Sequence, residues 1–300
     1  SLLYGDPFIG GAADVDIVLI QNETSPHARE IVPLTDDIHL DIAIHDESEY
    51  QKPRNLRVHP WLGSTLFDAK ILYDPRHKMD FIQAGVRGMF HRPEFAMQRS
   101  LPQVEHARQI WMGFQSKVFE SEAENISTYL KGLEHAVNGI ALLSGPPLTE
   151  RRFLLNLPER ADEVGKPELY ARALSLLGSP NVKAEEIKLW LVDWEKAFEA
   201  IPDSNRPQRL QPERKGYYLK AMKSILDSEH PMNVLWLLLK TWVLVISCLP
   251  KDQQTATIWN QAMHQLGLSG PGFKERLEEF DAYLDLVEET LEGWGGEQGI

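Results

Sequence analysis

A single cysteine among 300 residues, Cys248, excludes an intramolecular disulfide and suits a reducing compartment. It falls in an apolar run and is expected to be an inert, buried thiol. Positive charge is also scarce. The 31 Lys and Arg stand against 44 Asp and Glu, for a net charge of −13. The deficit runs through both the first third and the remainder, and no basic stripe follows the chain as a nucleic-acid track requires. A cationic small molecule or a metal–nucleotide complex suits this charge better than a nucleic acid does. Long apolar runs are missing too. The most extended, "NVLWLLLKTWVLVISCLP" at residues 233–250, is short for a membrane span and carries Lys240 at its centre, so it reads as a core helix. There is no repeat of fixed period, no low-complexity tract and no secretory signal. A cytoplasmic protein without membrane partners is expected.

What is present divides into two parts. The first part alternates strands with turns and short helices. "DVDIVLI", residues 14–20, is a β-branched run preceded by glycines and reads as a buried strand. "DDIHLDIAIHD", residues 36–46, alternates strictly. Ile38, Leu40, Ile42 and Ile44 share one face, and His39, Asp41, Ala43 and His45 share the other. "DAKILYDP", residues 68–75, predicts a third short strand, and residues 77–90 a helix. From about residue 101 the helical period takes over. It predicts helices over 103–119, 122–143, 166–177, 183–200, 212–228, 233–249, 254–267 and 271–292. Ser121 and Glu124 form a capping box at one start, and "SGPP", "GSPN" and "LSGPG" mark stops. The fold class expected is therefore an α/β (α+β) domain with a small mixed sheet over residues 1–97, followed by an all-α helical bundle over 98–300.

The two acids at the mouth of the first strand demand an explanation. Asp14 and Asp16, at i and i+2, project from one face of a strand, and a buried carboxylate is costly unless a positive charge neutralises it. Carboxylates so placed can hold a hard divalent cation, and Mg²⁺ is typically bound by one or two carboxylates plus substrate phosphates. Asp41 lies on the polar face of the next long strand. If the two strands are neighbours, three carboxylates meet at one edge of a sheet.

The stretch "SLLYG" followed by "GGAADVD" resembles the nucleotidyltransferase superfamily of the DNA polymerase beta type. The matching residues are Ser1, Gly5, Asp14, Asp16 and Asp41. With "HLDIAIHDE" and "ILYDP", the chain looks most like the aminoglycoside-adenylylating antibiotic nucleotidyltransferases and their relatives. The motif covers about the first 75 residues, and the helical part is similar in architecture. Two departures stand out. The glycine that should precede Ser1 is absent, so the amino end is expected to be incomplete, and the spacer from Gly5 to Asp14 is long.

The resemblance implies a Mg²⁺-dependent enzyme that takes ATP, or another nucleoside triphosphate, as co-substrate. Ser1 and Gly5 would hold the triphosphate in the glycine turn, and Asp14 and Asp16 the metal. Asp41 would share the metal and accept a proton from the acceptor. The helical domain would shape the site for a small hydroxylated, aminoglycoside-like acceptor. Two alternatives remain open: a protein-adenylylating enzyme of toxin–antitoxin type, and a non-catalytic nucleotide-binding module. An RNA-tailing polymerase is disfavoured by the missing basic track.

Other notable residues have plainer readings. His39 and His45 can contact a ligand or be satisfied strand-edge groups. Lys70, Arg76, Lys78 and Arg87 can serve phosphate or be solvated. Gly63-Ser64 reads as a turn. Trp190, Trp194, Trp236, Trp242 and Trp259 read as core, and Glu275, Glu278 and Glu279 as a solvated face.

Overall fold

The computed structural model describes residues 8–22, 28–250 and 255–300. Three strands come first: β1 (Ala13–Gln21), β2 (Arg29–Pro33) and β3 (Ile38–Asp46). Twelve helices follow among the described residues. They are α1 (Pro53–Arg57), α2 (Pro60–Asp68), α3 (Lys78–Arg87), α4 (Pro93–Gly113), α5 (Glu122–Ser144), α6 (Phe153–Glu163), α7 (Glu168–Leu176), α8 (Ala184–Glu199), α9 (Arg214–Leu226), α10 (Val234–Cys248), α11 (Thr255–Gln265) and α12 (Gly272–Gln298). The coarse expectation of a small mixed sheet followed by helices is met.

The sheet order is β1-β3-β2, with β1 parallel and β2 antiparallel to β3. Strand β2 escaped the sequence reading because five residues are too few for alternation to register. It turns into β3 through Thr35, whose hydroxyl accepts from the backbone N–H groups of Asp37 and Ile38 at 3.2 and 3.0 Å. The strand predicted at residues 68–75 does not form. Helix α2 runs to Asp68, and the chain then continues without regular structure to Pro75. Gly63 and Ser64, expected in a turn, lie buried inside α2, where the Ser64 hydroxyl donates to the Pro60 carbonyl at 2.7 Å.

The chain forms two compact units that are interleaved rather than consecutive. The first comprises Ser1–Asp46, Phe119–Ser127 and Leu174–Arg276; the second comprises Glu47–Val118, Thr128–Ala173 and Leu277–Ile300. A cut at residue 97 does not follow this grouping, because the sheet packs with late helices while α1–α4 belong with α6 and most of α12.

In the first unit the core is aromatic. Trp194, Trp236, Trp242 and Trp259 are at most 2% exposed. The Trp194 indole N–H donates to the Thr241 hydroxyl at 3.1 Å, and that hydroxyl donates back to the Leu237 carbonyl at 2.8 Å. The stretch Pro231–Cys248, which contains α10, is long and apolar enough to cross a membrane, but most of it is buried, as a core helix requires. Cys248 ends it half-buried rather than fully buried, and the partial burial raises its thiol pKa. Half of the expected capping box opens α5: Ser121 Oγ accepts from the Glu124 N–H at 3.1 Å, but the Glu124 side chain accepts from the Glu120 N–H at 2.9 Å rather than from Ser121.

In the second unit Tyr129 and Phe280 meet edge to face at 5.4 Å. Arg108 on α4 binds Asp281, Asp285 and Glu288 along one side of α12.

A short turn, Ile9–Gly11, leads into β1 and rests against α9. Gly10 has φ +64°, and a Cβ there would collide with the Lys220 carbonyl of α9. Gly10→Ala should therefore destabilise the protein by ~1–3 kcal/mol through combined backbone strain and displacement of the turn. Denaturant unfolding of the two proteins measures it. Equal midpoints would show that the turn is not held against α9.

Candidate functional site

The register of the parallel pair builds the site. Asp14 lies opposite His39, and Asp16 opposite Asp41. Side chains paired across a ladder share a face, so the three acids and His39 stand on the same side of the sheet. Ile31 of β2 pairs with Asp41, so Arg29, two residues earlier, shares that face as well.

This polar face is the buried one. His39 and Asp41 are 1% and 3% exposed, while Ile38, Leu40, Ile42 and Ile44 are only half-buried. The cover is the first turn of α9. Arg214 reaches down from it, and Tyr217 meets the His39 ring edge-on with centroids 6.4 Å apart.

Arg214 Nη1 donates to Asp14 Oδ2 at 2.8 Å and lies 3.7 Å from Asp41 Oδ2. Its guanidinium sits over the Tyr217 ring at 4.2 Å and near the Tyr218 ring at 5.4 Å. Burial works against its charge, but Tyr218, Asp14 and Tyr217 outweigh that and raise its pKa. Arg29 approaches Asp41 from the other side and binds both carboxylate oxygens, Nε to Oδ1 and Nη2 to Oδ2. The hydrogen bond to Asp41 raises the Arg29 pKa.

Three polar atoms of the cluster are buried with no hydrogen-bond partner: Asp14 Oδ1, His39 Nδ1 and Arg214 Nε. Asp16 differs from its neighbours in being exposed. Crowding by the protein around it, then the like charges of Asp41 and Asp14, raise its pKa. Beside the cluster lies a cavity of about 440 Å³ whose lining includes Thr35, Asp36, His39, Glu213 and Gly216.

The sheet thus brings Asp14, Asp16 and Asp41 to one face. Ser1 and Gly5 lie outside the described residues. Among the described residues no three His, Cys, Asp or Glu side chains stand grouped as a metal cage; Asp14 and Asp41 are directed to arginines instead. Lys78 pairs with Glu47, and Arg87 donates to the Phe67 carbonyl at 2.8 Å, so both have protein partners in the second unit.

Sequence reasoning missed both arginines. Arg214 sits in "PERKGYY", two hundred residues from the acid it binds, with no local sign of the pairing. Arg29 carried a signal only in retrospect, as a charged residue alternating with Ile31 on β2.

Compared with known proteins, the chain matches no family model, no curated protein and no solved structure.

The raised Asp16 pKa has a pH consequence. A carboxyl whose folded pKa lies above its ordinary 3.8 adds stability that is fully present below that value and lost as pH rises through the folded value. Asp16→Asn, which cannot ionise, should therefore melt higher than wild type near neutral pH. The gain should fade as pH falls below about 4. Melting temperatures across that range test this, and a gain independent of pH would remove the charge-crowding explanation.

Proposed function

We propose that this chain is a nucleotidyltransferase that moves a nucleoside monophosphate, AMP from ATP in the leading case, onto a hydroxyl of a small molecule and releases pyrophosphate. The observation that carries the reading is the β1–β3 register, which sets Asp14, Asp16 and Asp41 on one face of a parallel strand pair. The resemblance read from "SLLYG" and "DVD" supplies the reaction class.

The residues fit a hard divalent cation. The donors are carboxylate oxygens, and Asp14 Oδ1 is buried without a partner. Mg²⁺, when bound, would offset negative charge on the α-phosphate and the leaving pyrophosphate. Asp14 and Asp16 would hold it. Asp41 would take the proton from the acceptor hydroxyl as its oxygen bonds to the α-phosphorus and the bridge to the β-phosphate breaks. Both Asp41 oxygens accept from Arg29, so Arg29, whose side chain is 42% exposed, must swing aside for that step. Asp36 and Glu213 give the neighbouring cavity negative charge, which suits a cationic, aminoglycoside-like acceptor.

One observation favours a second reading, a module of this fold that binds nucleotide without chemistry. Asp14 and Asp41 already have arginine partners, so their burial is explained without catalysis.

Two measurements separate the readings. Ligand that binds only the folded state raises its melting temperature. Mg²⁺–ATP should do so for wild type but not for Asp14→Ala or Asp16→Ala; no shift with any nucleoside triphosphate would remove both readings. Asp41→Asn should bind Mg²⁺–ATP within about tenfold of wild type yet transfer roughly 100-fold more slowly, the usual scale of general-base catalysis. Single-turnover transfer beside calorimetric titration decides it. Tight ATP binding with no turnover on any small alcohol leaves the binding module.

A further inference from the structure

Arg214 is a buried charge of the first unit. Its side chain is 5% exposed, against 8% for Asp14 and 3% for Asp41. One terminal nitrogen lies within ion-pair distance of both carboxylates, 2.8 Å from one and 3.7 Å from the other. Asp14, the closer of the two, is also one of the two carboxylates to which the reading above gives a divalent cation. The inference rests on that reading in this one respect.

We propose that Arg214 is a positioning residue that holds Asp14 in place of a cation and gives it up when a divalent metal binds to Asp14 and Asp16. Three features support the exchange. First, charge: the guanidinium on Asp14 is a positive charge that a metal ion must displace, and its release frees Asp14 Oδ2 beside the unpartnered Oδ1. Second, Asp14 has an oxygen to spare, since Oδ2 holds Arg214 while the buried Oδ1 holds nothing. Third, the guanidinium already rests against the Tyr217 and Tyr218 rings at 4.2 and 5.4 Å, contacts that do not depend on its hydrogen bond to Asp14. The helix start itself is anchored elsewhere, by Lys215 to Glu195 and Glu199 on α8 at 3.1 and 2.5 Å. Arg214 can therefore move without α9 moving. Until metal arrives, it keeps two buried carboxylates from facing each other uncompensated.

The test is a titration with Mn²⁺ alone, followed by electron paramagnetic resonance, on wild type, Arg214→Gln and Arg214→Lys. Arg214→Gln should bind Mn²⁺ roughly tenfold or more tightly than wild type, since a competing charge is gone. Arg214→Lys, a point charge that cannot bridge as a guanidinium does, should fall between the two. Mn²⁺ should also raise the melting temperature of Arg214→Gln more than that of wild type. A folded Arg214→Gln that binds Mn²⁺ no more tightly than wild type overturns the proposal, as does a complete absence of Mn²⁺ binding in all three. If Arg214→Gln does not fold in chelator, recovery of its circular dichroism on adding Mn²⁺ supports the exchange; without recovery, an Arg214→Lys affinity equal to wild type overturns it. No nucleotide enters the experiment. The exchange is therefore decided on Mn²⁺ affinity alone, and the proposed reaction on the separate transfer assay, so that either can fail while the other stands.

Discussion

The first unit is organised around charges that water cannot reach. Asp41 at 3% exposure and Asp14 at 8% would be untenable on a buried sheet face without cations beside them, and Arg29 and Arg214 supply those. Such pairs cost desolvation on both sides, so their net contribution to stability is small. Removing one partner, by contrast, typically costs about 3–5 kcal/mol, because a buried charge is left uncompensated. The cluster therefore constrains geometry more than it adds stability. Helix α9 must present Arg214 over β1 and β3, and β2 must present Arg29 from the far side.

Helix α9 meets that demand by being held at several points within its unit. Gly10 allows the turn before β1 to approach the Lys220 carbonyl, and Lys220 itself pairs with Asp37 in the β2–β3 connection. Lys215 ties the helix start to α8. Tyr218, beside the Arg214 guanidinium, meets Trp194 at 6.5 Å, and Trp194 in turn donates to Thr241 on α10. A continuous path of packed and hydrogen-bonded groups thus runs from the Asp14 carboxylate to the centre of the helical core. The placement of the charged site and the packing of the tryptophans are one problem, not two.

This explains which parts of the structure were legible in the sequence. Strands β1 and β3 announced themselves because period-two alternation is a local property of nine residues. The helices from α7 onward did so for the same reason, whereas α6 (Phe153–Glu163) escaped and α4 begins ten residues before the predicted start. The tryptophan core followed from side-chain size alone. The inward direction of the His39–Asp41 face was not legible. Polarity pointed it outward, and only a partner two hundred residues away reverses that sign. Residues 68–75 show the opposite failure: "KILY" has strand composition, but no neighbouring strand pairs with it, and Leu72 and Tyr73 remain exposed at 75% and 86%. The candidate acids were readable as a set. The cations that balance them were not, because complementarity over such a separation leaves no mark on spacing.

Asp16 bears most directly on what the cluster is for. A purely structural arrangement needs two acids for two arginines, and Asp14 and Asp41 already satisfy that count. Asp16 adds a third negative charge opposite Asp41, in an exposed position where its own pKa is raised by crowding and by its two neighbours. An acid placed there lowers stability at neutral pH and pairs with neither arginine through a short contact of its own. It is accounted for if a further cation arrives from solvent, since the exposed carboxylate would be the first group that cation meets and the buried Asp14 Oδ1 the next. The contrast between two acids paired with arginines and a third without a close ion pair of its own is what a role in holding the sheet to α9 leaves over.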